Sequence, residues 1–225
     1  PAQTFKNWIH YIDSFRCYLY YAYFTGKKQK TIKSNHQTVL MQTERKIHVS
    51  DGWTLFLDRD GVINKKIDSD YVRDWSSFYF LIDIPKIFQI LNTIFSRVII
   101  ISNQQGIGKK LMTISDLINL HNIMINTIQN VDGEIDSIYC CPHLQENNCN
   151  CRKPNPGMLQ RSIQQFPDIQ LKKSIFIGDS LSDIRLGLSQ GLVTVYLGDS
   201  PRLQEIANYH FPDLKMFMRN LIINK

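Results

Sequence analysis

Along residues 51–225, short apolar runs alternate with stretches in which apolar positions recur every three or four residues. The runs Trp53–Leu57, Arg97–Ile101, Ile135–Cys140, Ser174–Ile177 and Leu192–Leu197 read as strands, the continuous apolar ones as buried strands. The periodic stretches predict helices over 84–95, over 113–129 behind the cap Thr113, over 156–166 opening on Pro156, and again after Gly178–Asp183. This alternation predicts an α/β fold, a parallel sheet with helices on both faces. Residues 61–80 are too long for a plain strand-to-helix loop, which predicts a flap over that edge.

The pattern changes before residue 51. Phe5, Trp8, Ile9, Ile12, Phe15, Leu19 and Tyr23 recur at helical spacing, Gly26 stands where a C-cap would, and 27–46 is basic and polar like a linker. Residues 1–50 carry eight Lys/Arg against two acidic residues, 8 − 2 = +6, whereas residues 51–225 carry eighteen of each. Two regions follow, an arm over 1–50 and an α/β domain over 51–225. The arm is expected to dock on its own domain or on a second copy, giving a monomer or a homodimer. A membrane-surface or partner-binding role fits less well, because the lysines follow the helical stretch rather than lining one face of it. A balanced domain gives no reason to expect a nucleic-acid partner. No apolar run approaches the roughly 20 residues of a membrane span, and nothing resembles a signal peptide, so a cytoplasmic protein is expected.

Chemistry gathers directly after the strands, where open α/β sheets place their active sites. Asp58 and Asp60 follow the first run, and period-two geometry would bring their carboxylates to one spot, where a cation relieves the repulsion. Magnesium takes oxygen ligands and bridges to phosphate. Asp179 supplies a further carboxylate, and Asp183, a helical turn on, can hold that loop or stand behind the metal ligands. The set suits phosphoryl transfer, with Asp58 as nucleophile and Asp60 as acid and base. Ser102, Asn103, Gln104 and Gln105, in Ser-Asn-Gln-Gln-Gly-Ile-Gly, can cradle the phosphate, Lys153 can place its ammonium over the same group, and Arg152 suits bidentate contact with a substrate oxyanion or hydroxyls. Asp70 and Tyr71, in the flap, can touch substrate.

Cys141, His143, Cys149 and Cys151 offer three thiolates and one imidazole within eleven residues, the ligand set of a closed structural zinc site. Such a loop, after the third strand, would pin Arg152 and Lys153. Cys140 reads as core, and Cys17 has no evident partner. His10, His36, His48, His121 and His210 read as solvated or structural.

The ordered motifs Leu-Phe-Leu-Asp-Arg-Asp-Gly-Val-Ile-Asn, Ser-Asn-Gln, Arg-Lys-Pro and Gly-Asp-Ser-Leu-Ser-Asp resemble those of the haloacid dehalogenase (HAD) phosphatase superfamily. With Cys-Pro-His…Cys-Asn-Cys-Arg-Lys-Pro-Asn-Pro-Gly-Met, they resemble its heptose-bisphosphate and histidinol-phosphate phosphatase branch over about residues 53–199. The resemblance implies a Rossmann-like HAD sheet and an aspartyl-phosphate on Asp58. It implies acid–base work by Asp60, a phosphoryl contact from Ser102 and substrate recognition by Arg152 and Lys153. It places Mg2+ on Asp58, the backbone carbonyl of Asp60, and Asp179. The segment Asp70–Val72 and Lys-Pro-Asn-Pro-Gly-Met favour D-glycero-D-manno-heptose 1,7-bisphosphate, losing its 7-phosphate in cell-surface heptose synthesis. The short gap between His143 and Cys149 favours histidinol phosphate as the alternative. The flap and Lys-Pro-Asn-Pro-Gly-Met weigh more, because the flap closes over the leaving group and the gap varies, so the heptose bisphosphate is the expected substrate. A reading of another class is a binding or scaffold module that works through residues 1–50.

Overall fold

The computed structural model describes residues 46–224, among which eight strands and seven α-helices alternate. The expected helix over 5–24 and the linker after it lie outside the described residues. Strands β2 (Thr54–Leu57), β3 (Arg97–Asn103), β4 (Ser137–Cys141), β5 (Ser174–Gly178), β6 (Val193–Leu197) and β7 (Tyr209–Phe211) form one parallel sheet in the order β4-β3-β2-β5-β6-β7. The chain steps outward from β2 through β3 to β4, then returns to β5. The junction of β2 and β5 is therefore the switch point of the sheet, where a crevice opens beyond the strand ends.

The central strands are apolar throughout because both of their faces are covered. Leu55 and Leu57 of β2, Val98 and Ile100 of β3, and Ile175 and Ile177 of β5 enter one buried cluster. It is built with α1 (Ile84–Ile94) and α3 (Ile114–Gln129). Phe56, Ile99, Ile101 and Phe176 face the other way, against α4 (Gly157–Gln165) and α5 (Leu181–Ser189). Thr113 caps α3 as expected, its hydroxyl accepting from Asp116 N–H at 3.1 Å.

Three differences from the sequence reading have local causes. Ile47–Val49, read as the end of the arm, is strand β1; it pairs in parallel with β8 (Leu221–Ile223), and Ile47 and Val49 are buried in the first cluster. Strands β1, β7 and β8 were not foreseen, since three residues carry too little periodicity to read. Four residues of the expected phosphate loop are instead a helical turn, α2 (Gln105–Gly108). The chain closes on itself after α5 with α6 (Pro201–Ile206) and α7 (Leu214–Arg219).

Candidate active site

β2 hands the chain to a tight turn at its carboxyl end. Asp58 N–H donates to Ile177 C=O on β5 at 2.9 Å, the last rung of the ladder. After it, the N–H groups of Ile63 and Asn64 donate back to Arg59 C=O at 2.8 and 3.2 Å, and Gly61 sits at φ +87°. A side chain at Gly61 would collide with the Asp179 carboxylate after β5, so glycine there lets the two strand ends approach.

Period-two geometry stops at this turn, and with it the expectation that Asp58 and Asp60 share one spot. The carboxylates that come together are those of Asp58, Asp179 and Asp183, whose oxygens lie within 4.8 Å of one another. Lys153 lies against two of them. Its ammonium is buried, 2.9 Å from Asp58 Oδ1 and 2.6 Å from Asp183 Oδ1, and donates to Ile101 C=O at 2.8 Å. Lys153 was expected over the phosphate; here it is already committed to these anions. Asp183 also closes a capping box at the start of α5, accepting from Ser180 N–H at 3.0 Å.

Burial pushes the Asp58 carboxyl up to about 7; Lys153 opposes this and the other aspartates add to it. Burial likewise raises Asp179, against the pull of Lys66, whose ammonium is 2.8 Å from Asp179 Oδ2. For Lys153 burial favours the neutral amine, but Asp183 and Asp58 overcome it and hold the group charged.

Asp60 belongs to a separate network. Arg59 Nη2 lies 2.9 Å from each Asp60 oxygen, Asn64 Nδ2 donates to Oδ1 at 2.9 Å, and Gln104 Nε2 donates to Oδ2 at 2.9 Å. Burial alone would raise Asp60; the Arg59 charge and these donors outweigh it and lower its pKa. Gln104 also donates to Ser102 Oγ at 2.8 Å, leaving the buried Ser102 hydroxyl its own proton to give.

The remaining expected site residues divide. The Asn103 side chain clamps the backbone of Lys153, accepting from its N–H at 3.0 Å and donating to its C=O at 3.2 Å, rather than cradling an anion. The N–H groups of Gln104, Ile107 and Gly108 are bonded within the fold, which corrects a cradle built on the whole loop. Gln105 meets Tyr71 Oη at 3.3 Å, tying the flap to α2, while Asp70 is turned to Arg73 at 2.6 Å. The flap base is fastened by Lys65 N–H to Tyr79 C=O and Leu81 N–H to Ile63 C=O. A cleft of about 430 Å³ opens beside Lys153, lined by Asn103, Gln145, Asn148, Arg152 and Ser182 among others.

Both ligand sets suit a metal. Asp179 Oδ1 is buried and without a partner, and it adjoins carboxylate oxygens of the kind hard cations take. The sulfurs of Cys141, Cys149 and Cys151 lie 3.1–3.5 Å apart, and His143 Nδ1 is 3.1 Å from Cys151 Sγ. A tetrahedron with metal–sulfur bonds of about 2.3 Å has edges of about 3.8 Å, so a small expansion would seat an ion. Cys140 is half-buried and outside that set.

Sequence reasoning missed Arg59, His121, Asn64 and Lys66. Arg59 is wholly buried between the two aspartates of the motif, and its Nη1 donates to His121 Nε2 at 3.2 Å. His121 carried a readable signal, since it sits in the buried stripe Leu117, Leu120, Met124, Ile128 of α3. Lys66 carried none.

Residues 54–199 match the family model described as polynucleotide kinase 3 phosphatase. A D-glycero-alpha-D-manno-heptose-1,7-bisphosphate 7-phosphatase from Campylobacter jejuni is 39% identical over 164 residues, 72% of this chain and 91% of the relative. The corresponding beta-heptose phosphatase from Neisseria meningitidis is 37% identical over 131 residues, 58% of this chain and 69% of the relative. Among solved structures, the D,D-heptose 1,7-bisphosphate phosphatase of B. bronchiseptica, complexed with magnesium and phosphate, superposes with a TM-score of 0.67 at 25% identity. That match covers 74% of this chain and 96% of the other.

Proposed function

The chain belongs to the polynucleotide kinase 3 phosphatase family, and from that premise we propose that it removes the 7-phosphate of D-glycero-D-manno-heptose 1,7-bisphosphate. It is a phosphoric monoester hydrolase with a HAD-like parallel sheet. The observation that carries the reading is the Asp58–Asp179–Asp183 cluster at the sheet's switch point, with Lys153 beneath it and Asp60 beside it on separate supports.

In this reading Asp58 attacks phosphorus and forms an acyl-phosphate, while the P–O bond to the sugar breaks. Asp60 gives the leaving alkoxide its proton and then takes one from the water that cleaves the intermediate. Arg59 keeps Asp60 ionised in the free site. The negative charge of the bound phosphate works the other way and favours Asp60 carrying the proton it must donate. Ser102 Oγ offers its proton to a phosphoryl oxygen, and Lys153 orients Asp58 and offsets its charge. Mg2+ bound by Asp58, Asp179 and the Asp60 carbonyl would neutralise phosphoryl oxygens and favour the ionised form of Asp58. Arg152, half-exposed in the cleft beside the cysteine loop, is placed to meet substrate hydroxyls or the second phosphate. Zn2+ on Cys141, His143, Cys149 and Cys151 would fix the loop that carries Arg152 and Lys153. Three neighbouring cysteines not joined in disulfides suit a reducing, cytoplasmic setting.

The test is kcat/KM on both heptose-bisphosphate anomers and on histidinol phosphate, with metal content measured on the purified protein. Preference for either heptose anomer by tenfold or more, about one zinc per chain, and loss of turnover in a folded Asp58→Asn variant are expected. Preference for histidinol phosphate would reassign the substrate, and activity in Asp58→Asn would remove the mechanism.

A further inference from the structure

A buried arginine needs an anion and an acceptor for its remaining N–H groups. Arg59, at 0% exposure, has Asp60 on one edge, with Nε at 3.3 Å and Nη2 at 2.9 Å. On the other edge Nη1 donates to His121 Nε2 at 3.2 Å. The fork fixes the plane of the Asp60 carboxylate as a single ammonium could not. His121 comes from α3, on the far crossover between β3 and β4, so this contact ties the loop after β2 to a helix rather than to another loop. Burial and the neighbouring guanidinium hold His121 neutral, its pKa lowered to about 3, so that Nε2 accepts and Nδ1 carries the proton.

We propose that Arg59 and His121 are positioning residues for the acid–base carboxylate: His121 fixes the guanidinium, and the guanidinium aims Asp60 at the leaving oxygen. The inference rests on Asp60 acting as acid and base. Neither residue touches substrate; each acts through the next, and a displacement of about 1 Å at the carboxylate is enough to cost up to roughly 10²-fold in rate.

The experiment compares kcat/KM for a sugar phosphate, whose alkoxide must be protonated, with that for 4-nitrophenyl phosphate, whose phenolate leaves without a proton. Asp60→Asn should lose roughly 10²–10⁴-fold on the sugar phosphate and much less on the aryl ester. His121→Leu should show the same selectivity at about 10–10²-fold, and His121→Gln, which offers an oxygen acceptor at a similar reach, should recover most of it. Arg59→Lys keeps the charge, loses the fork and should also be selective, which decides the matter if His121→Leu does not fold. Equal losses on both esters, no loss, or a glutamine variant no better than leucine would overturn the inference. A selective Asp60→Asn beside unselective His121 and Arg59 variants overturns it alone; an unselective Asp60→Asn overturns the acid–base reading, and the inference with it.

Discussion

Magnesium should stabilise this protein far more at pH 8 than at pH 5, because the ion and a proton compete for Asp58. Burial raises Asp58 from its ordinary 3.8 to about 7. Between those values the folded protein keeps a proton there that the unfolded chain has released. Without the ion, this group therefore lowers stability as pH rises from about 4 to about 7, and the penalty is complete above that. The difference between those two values sets a ceiling of about 4 kcal/mol. At pH 5 only about one Asp58 in a hundred is ionised, so apparent Mg2+ affinity should fall by about 10² relative to pH 8, or about 3 kcal/mol. For a chain of this size that is roughly 6–12 °C in the Mg2+-induced rise of Tm. Thermal melts at pH 5, 6, 7 and 8, with and without saturating Mg2+ in chelator-free buffer, measure it. His121 and His210, both lowered by burial, act in the opposite sense below their ordinary 6.5. Each melt is therefore compared with Asp58→Asn, in which most of the pH dependence of the Mg2+ effect should be lost, the raised Asp179 carboxyl keeping the remainder. An equal Mg2+ shift at pH 5 and pH 8, or a pH dependence undiminished in Asp58→Asn, would refute the linkage.

Gly61→Ala puts a side chain at φ +87° and into the Asp179 carboxylate, so kcat/KM should fall by roughly 10²-fold while circular dichroism stays native; unchanged kinetics would show that the two strand ends need not approach. Lys66→Met removes a half-exposed ammonium from Asp179, and calorimetry should find Mg2+ bound up to about fivefold more tightly, the worth of an exposed pair; weaker binding would mean that Lys66 supports the site instead of competing for it. A chain starting at Lys46 should keep its kcat. One starting at Ser50 loses the buried Ile47 and Val49 and should lose roughly 3–6 kcal/mol as an upper bound, read by urea unfolding; equal stability would make β1 dispensable.

The layers of the fold were legible because the strands buried on both faces are long enough to read as runs and the helices carry full apolar stripes. The edges were not. β1, β7 and β8 are three residues each, held in register by neighbours distant in sequence, as Ile47 is opposite Leu221. No local pattern could have separated Ile47–Val49 from the basic stretch before it.

At the site, residue types and positions were legible while orientations were not. The sequence placed aspartates at the ends of β2 and β5, but the turn beginning at Arg59 sends the Asp60 side chain to different partners from those of Asp58. That separation has a chemical consequence. A nucleophile and an acid held in one carboxylate cluster would share a proton and titrate together. Here Asp58 is balanced by Lys153 and lies next to Asp179, whereas Asp60 is balanced by Arg59, so each carboxylate has its own counter-charge and the Asp60 charge is only the smallest of the effects on Asp58. The two buried cations thus give two aspartates only two residues apart different surroundings, as the proposed division of roles between them requires. Arg59 stood in the motif with nothing to mark it as more than a spacer, since its importance comes from the absence of water around it, and burial of that kind is a property of the assembled sheet.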